Sequence, residues 1–84
     1  MPKRPEWWDW DIELSTHALE RMGDRDFTEL DVRRMFDAAI AVRRSDWPRW
    51  EIHTRLRGSP WRMIVELDIQ RYVVNVITAH PLNT

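Results

Sequence analysis

Apolar residues recur along this chain with two different periods, and the change from one to the other divides it. From Ser15 to Met22 the run Ser-Thr-His-Ala-Leu-Glu-Arg-Met has no helix breaker, and Ala18, Leu19 and Met22 form an apolar stripe at helical spacing. Ser15 or Thr16 is placed to cap this helix, a side-chain oxygen accepting from a free N–H of the first turn. Gly23 is placed to end it. Thr28-Glu-Leu-Asp31 reads as a capping box with Asp where Glu is usual. Leu30, Val32, Met35, Phe36 and Ala39 then share a face, which predicts a second helix from about Glu29 to Ala39.

After Ala39 the period becomes two. Ile40–Arg44 is a short strand candidate. In Trp50–Arg57 the residues Trp50, Ile52, Thr54 and Leu56 face one way, and Glu51, His53, Arg55 and Arg57 the other. Gly58-Ser59-Pro60 marks a hairpin turn, Trp61–Leu67 the next strand and Asp68–Arg71 the next turn. Tyr72–Ala79 is apolar on both faces, which predicts a central or doubly covered strand. Strict alternation through it places Tyr72, Val74, Val76, Thr78 and His80 on one face.

This order predicts an α+β domain, with two N-terminal helices packed on one face of a three- to four-stranded antiparallel meander. At 84 residues the chain is read as a single domain, 1–84. It divides into an N-terminal arm or edge strand at 1–11, a helical part at 12–39 and an antiparallel sheet at 40–82. Trp7, Trp8 and Trp10 are placed to clip the arm onto the body, or to offer a partner protein a surface, since Trp is favoured at binding hot spots.

Charge adds an asymmetry that the periodicity does not show. Residues 1–37 carry six basic and ten acidic side chains, and residues 38–84 carry seven basic and four acidic. The overall charge of −1 does not advertise nucleic-acid binding, but the sheet half is basic and every positive charge in it is Arg. Arg presents a planar fork suited to phosphate. With no cysteine and three histidines, neither a disulfide nor a structural metal is expected, and no cofactor is implied. No apolar run follows the basic N-terminal residues and none is long enough to span a bilayer, so a cytoplasmic protein without membrane contact is expected.

Three groups of side chains could carry chemistry. His17, Arg21 and Arg25 are four apart and fall on one helix face, with Arg25 just past the expected helix end. A histidine there could move protons and an arginine could hold a phosphate. The spacing also fits a solvated helix edge in which Glu20 and Asp24 pair with the arginines. The strip Glu51, His53, Arg55 and Arg57, with Arg62 and Glu66 opposite, could track a phosphate backbone beside Trp50 or Trp61. Cross-strand ion pairs on an ordinary solvent face fit the same pattern. Thr78 and His80 end the last strand. There is no Gly-rich phosphate loop and no H-E-x-x-H.

The ordered set His17-Ala-Leu-Glu-Arg-Met22, Arg25, Arg49-Trp50-x-Ile52-x-Thr54-Arg55, Gly58-x-Pro60-Trp61, Ile64-Val65-Glu66-x-Asp68 and Val74-x-Val76-x-Thr78-Ala79-x-Pro81 resembles a widespread bacterial family of small uncharacterised domains. The likeness runs from about residue 8 to 82. That family looks like a branch of the metal-independent RNase toxin fold shared by RelE, barnase and the tRNA-cutting colicins. The resemblance implies a RelE-like sheet that acts on or binds RNA, as an endoribonuclease in which a ribose 2′-OH attacks the adjacent phosphate. It implies catalytic positions at His17, Arg21, Arg55, Glu66 and Thr78, and substrate contacts at Arg25, His53, Trp61 and His80. The family usually has Tyr where this chain has His80. An antitoxin or other protein partner is implied as well. The alternative is a non-catalytic protein-binding module of phage, mobile-element or toxin–antitoxin type, using the exposed sheet face and the Trp-rich arm.

Overall fold

A computed structural model describes residues 5–25 and 27–82. Among them are two α-helices, α1 (Thr16–Arg25) and α2 (Glu29–Asp37). Five strands form one sheet: β1 (Asp11–Leu14), β2 (Ala41–Arg44), β3 (Arg49–Leu56), β4 (Ser59–Asp68) and β5 (Val73–Pro81). The α+β class is as expected, but the sheet is larger and mixed. Its order is β1-β5-β4-β3-β2, with β2 to β5 an antiparallel meander and β1 parallel to β5.

The extra strand comes from residues expected to belong partly to an arm and partly to the helical region. Asp11-Ile-Glu-Leu14 alternates, but four residues are too few to separate a strand from a loop by pattern alone. Ile12 and Leu14 turn toward the core while Glu13 points away, and pairing with Val73–Val76 fixes that choice. Before it, Glu6–Asp9 forms a single 3-10 turn that puts Trp7 into the core. Trp7 packs on Trp8 and Trp50 at 5.5 and 5.3 Å between ring centroids, and Trp8 meets Phe36 at 5.1 Å. The expected clip is therefore real from residue 5 onward; residues 1–4 of the arm lie outside the described residues.

Both helices cover one face of the sheet. Ala18, Val32, Met35 and Phe36 meet Ile52, Thr54 and Leu56 of β3, Trp61, Met63, Val65 and Leu67 of β4, and Val74, Val76 and Ala79 of β5. Ser15 caps α1: its Oγ accepts from the Ala18 amide at 3.0 Å and donates to the Ile77 carbonyl at 3.0 Å. One hydroxyl thus both starts the helix and ties it to the edge of β5. Gly23 does not stop α1, which continues to Arg25.

The capping box of α2 forms as read. The Thr28 hydroxyl accepts from the Asp31 amide at 3.2 Å, and the Asp31 carboxylate accepts from the Thr28 amide at 2.9 Å. Asp31 is buried and takes Arg57 at 2.9 Å, so this one carboxylate also ties α2 to the β3–β4 turn. The Thr28 amide bond holds its pKa below the usual carboxylate value; burial opposes this, and the Thr28 hydroxyl, Arg57 and Arg34 reinforce it. Asp31→Ala is expected to destabilise the fold by about 2 kcal/mol at neutral pH, from the lost cap and the stranded partners. A carboxylate whose folded pKa is depressed stabilises above its unfolded pKa, and that gain is lost as pH falls through the folded pKa. The gap between wild type and variant in urea unfolding should therefore close in acid.

Candidate functional site on the open sheet face

The face of the sheet away from the helices is where polar chemistry collects, and two backbone features decide which residues meet there. The first is the β3–β4 hairpin. Its two turn residues are Arg57 and Gly58, both at positive φ (53° and 79°), the pattern of a two-residue type I′ turn. This turn is one residue earlier than Gly58-Ser59-Pro60, and it sets Leu56 opposite Ser59 and His53 opposite Arg62. The second is a β-bulge in β5. Ile64 pairs with Thr78 but Val65 pairs with Val76, so Ile77 is inserted between them.

The bulge corrects the expected alternation. Val74, Val76 and Ala79 face the helices, whereas Thr78 and His80 pair with Ile64 and Arg62 on the open face. One row across three strands then reads His53, Arg62, His80. The next row reads Arg43, Glu51, Ile64, Thr78. Adjacent strands are roughly 4.8 Å apart, so the two histidine Cα atoms lie about 10 Å apart with the arginine between them.

Glu51 organises the row. Its Oε1 accepts from Arg62 Nη1 at 2.9 Å and lies 3.4 Å from His53 Nε2. Arg62 makes no other hydrogen bond among the described residues, and its Nε is buried without a partner. An unpaired buried donor is unfavourable in the free protein and is relieved by an acceptor. His80 is half-buried on the other side of Arg62. Burial lowers its pKa most, Arg62 and Arg25 lower it further, and Glu51 opposes them. The His80 ring is therefore neutral at physiological pH and can accept a proton.

Arg25 is the member of the helical triplet that reaches the sheet. It is the last residue of α1, and its Nη1 donates to the Ala79 carbonyl at 2.7 Å, next to His80. His17 and Arg21 sit on the exposed side of α1, with Arg21 Nε 3.5 Å from His17 Nε2 and Arg21 Nη1 3.4 Å from Asp24. These contacts are those of the solvated helix edge.

The other expected site residues spread out. Arg55 and Glu66 share the open face, but Arg55 pairs with Pro60 and so lies six residues along β4 from Glu66, roughly 20 Å away. One phosphate cannot touch both. Glu66 is held by Arg49 at 3.1 Å. Trp61 lies on the helix face, buried and edge-on to Phe27 at 5.4 Å, so it is core and not a stacking platform. Trp50 likewise packs against Trp7. Arg62 and Glu51 stood out in the sequence only as members of a polar strip; a two-residue turn at Arg57-Gly58 is the signal that would have paired Arg62 with His53.

Among the described residues no three His, Asp or Glu side chains gather to hold a metal ion, and no helix is long and apolar enough to cross a membrane. Comparison of the chain with family models, curated proteins and solved structures finds no match.

Proposed function

We propose that this chain acts on RNA as a metal-independent endoribonuclease of the toxin type, with its active centre on the open sheet face. The observation that supports this reading is the row His53–Arg62–His80, in which two imidazoles flank one guanidinium. Cleavage by an internal nucleophile needs a base, an acid and a cation for the phosphate, and this row contains all three.

Neutral His80 takes the proton from a ribose 2′-OH. The 2′-oxygen bonds to phosphorus as the bond from phosphorus to the 5′-oxygen breaks. His53, positioned by Glu51 3.4 Å from its Nε2, gives a proton to the leaving 5′-oxygen. The products are a 2′,3′-cyclic phosphate and a free 5′-hydroxyl. Arg62 donates to the non-bridging oxygens, where charge grows in the transition state. Thr78 and Arg25 flank the same site, while His17 and Arg21 lie outside it. The weak overall charge makes affinity depend on this local cluster and on Arg43 and Arg55 beside it.

The test is incubation of purified protein with single-stranded RNA in the presence of a chelator, reading product ends. Wild type should yield 2′,3′-cyclic phosphate ends, and His53→Ala should slow this by roughly a hundredfold or more, the usual contribution of a general acid. Intact RNA with wild-type protein, over a range of sequences, would reject the enzyme reading. Retained RNA binding in that case would leave a non-catalytic binding module.

A further inference from the structure

A second feature of the open face lies at the other end of β4. It is a cavity of about 320 Å³ between the β2–β3 loop, the β4–β5 turn and β1, with Trp47, Glu66, Asp68, Asn75, Glu13 and Arg71 on its walls. We infer that this cavity is a nucleobase site that reads the identity of one base in the RNA strand. The inference rests on the RNA reading proposed above.

Three observations carry it. The first is the aromatic wall. Trp47 is 53 % exposed, unusual for a residue of its size, and Arg44 lies over its ring at 5.2 Å from the centroid. A half-exposed indole backed by a guanidinium is a stacking platform for a planar ring. The second is a polar edge of mixed character. Asn75 and Glu66 are directly paired across β5 and β4, on the cavity side of the sheet. Arg49 Nε occupies Glu66 Oε1, so Oε2 is left as an acceptor. The Asn75 amide makes no hydrogen bond among the described residues and offers a donor and an acceptor. A carboxylate oxygen beside an amide matches a base edge that presents an N–H next to a carbonyl or ring nitrogen.

The third is charge. Glu13, Glu66 and Asp68 outnumber the one arginine of the walls, Arg71, which already pairs with Glu13 at 2.6 Å. The one guanidinium of the walls is already held by Glu13 and Asp68, so the walls present no free cation to a phosphate, and a neutral base needs none. The position suits the same strand of RNA. Glu66 is four residues along β4 from Arg62, about 13 Å, so the base in the cavity belongs to a nucleotide beyond the scissile one.

The experiment titrates the folded protein with the four ribonucleosides and, separately, with ribose 5-phosphate, following the Trp47 indole N–H and the Asn75 side-chain amide by NMR. One nucleoside is expected to bind in preference to the others and to shift both signals, and ribose 5-phosphate to shift neither. Trp47→Ala should weaken that binding by roughly fivefold to a hundredfold, the range of base–aromatic stacking. Asn75→Asp, which removes the amide donor and keeps the shape, should erase the preference. Absence of binding by all four nucleosides, or equal binding that Asn75→Asp leaves unchanged, would overturn the inference. Because nucleosides have no phosphodiester, this result is independent of cleavage. Selective binding alongside uncleaved RNA would support the cavity while rejecting the enzyme reading. Cleavage without nucleoside selection would do the reverse.

Discussion

His80→Ala is expected to slow RNA cleavage by about 10²–10⁴-fold at neutral pH, the range of a lost general base, with little change in melting temperature. The second half of that expectation follows from the structure: the His80 ring makes no hydrogen bond among the described residues, and its strand is held by Ala79, Val76 and the edge contacts from Ser15 and Arg25. The pH profile carries the stronger test. A base must be neutral to act, so the acidic limb of kcat/KM should follow the titration of His80, and that limb should lie below the ordinary histidine value because burial, Arg62 and Arg25 all depress it. Arg25→Gln removes one of the cations and should move the limb upward, together with the His80 imidazole titration seen by NMR. If His80→Ala cleaves as fast as wild type, the base lies elsewhere. The same shift has a sign for stability. The unfolded chain binds the proton more readily than the folded one. Stability therefore falls as pH drops from the ordinary histidine pKa toward the depressed one, and is recovered above it.

Ile52→Ala is expected to destabilise the domain by roughly 2–5 kcal/mol, and Ile52→Val by roughly 0.5–1.5 kcal/mol. Ile52 is fully buried in β3, in a row with Val42, Met63 and Ala79 that crosses four strands under the helices. Removal of its outer carbons leaves a cavity lined by β3 and β4, each hydrogen-bonded on both sides, which cannot collapse into it. A domain of 84 residues has on the order of 4–13 kcal/mol in total at typical stabilities per residue. The alanine variant should therefore show a large fall in urea midpoint, and the valine variant a graded one. Equal midpoints for all three proteins would mean that this row does not bear on stability.

How much of this was legible in the sequence depended on the length of each pattern. The helix from Glu29 and the alternation of Trp50–Leu56 and Trp61–Leu67 are long enough for burial to impose one phase, and the structure keeps that phase except at Leu30, which is exposed while Asp31 takes the buried position. Thr28 and Asp31 were readable because a capping box is a local contact within one turn. The strand Asp11–Leu14 was not readable as such: four residues gain their conformation from a parallel partner sixty positions away. Gly23 misled because a glycine inside a helix costs only about 1 kcal/mol, less than the packing of Met22 and the anchoring of Arg25 return. The site was legible as a set of residue types on one strip, but not as a constellation. That Arg62 shares a row with His53 follows from the two-residue length of the Arg57-Gly58 turn, which the strand pattern alone does not set; Arg55 lies on the same strand as His53, and Glu66 four residues along β4 from Arg62. Trp61 was misassigned for a related reason: a large aromatic at a strand start fits either a rim or a core until the face covered by the helices is known.

The inserted Ile77 acts on β5 as a change of reading frame acts on a message. Before it, odd and even positions serve packing and solvent in one sense; after it, in the opposite sense. Even positions face the helices in the first part of the strand and odd positions in the last part, within nine residues. Composition at Thr78 and His80 is consequently free to change with little effect on the core, whereas the exclusion of Ile77 from the ladder is not. Pairing Ile77 directly opposite Ile64, with no bulge, would restore strict alternation, turn His80 under the helices and bring Ala79 out beside Arg62, with every side chain of the site still encoded. In this domain the register of one strand pair, more than the identity of any one residue in it, decides which side chains reach the open face.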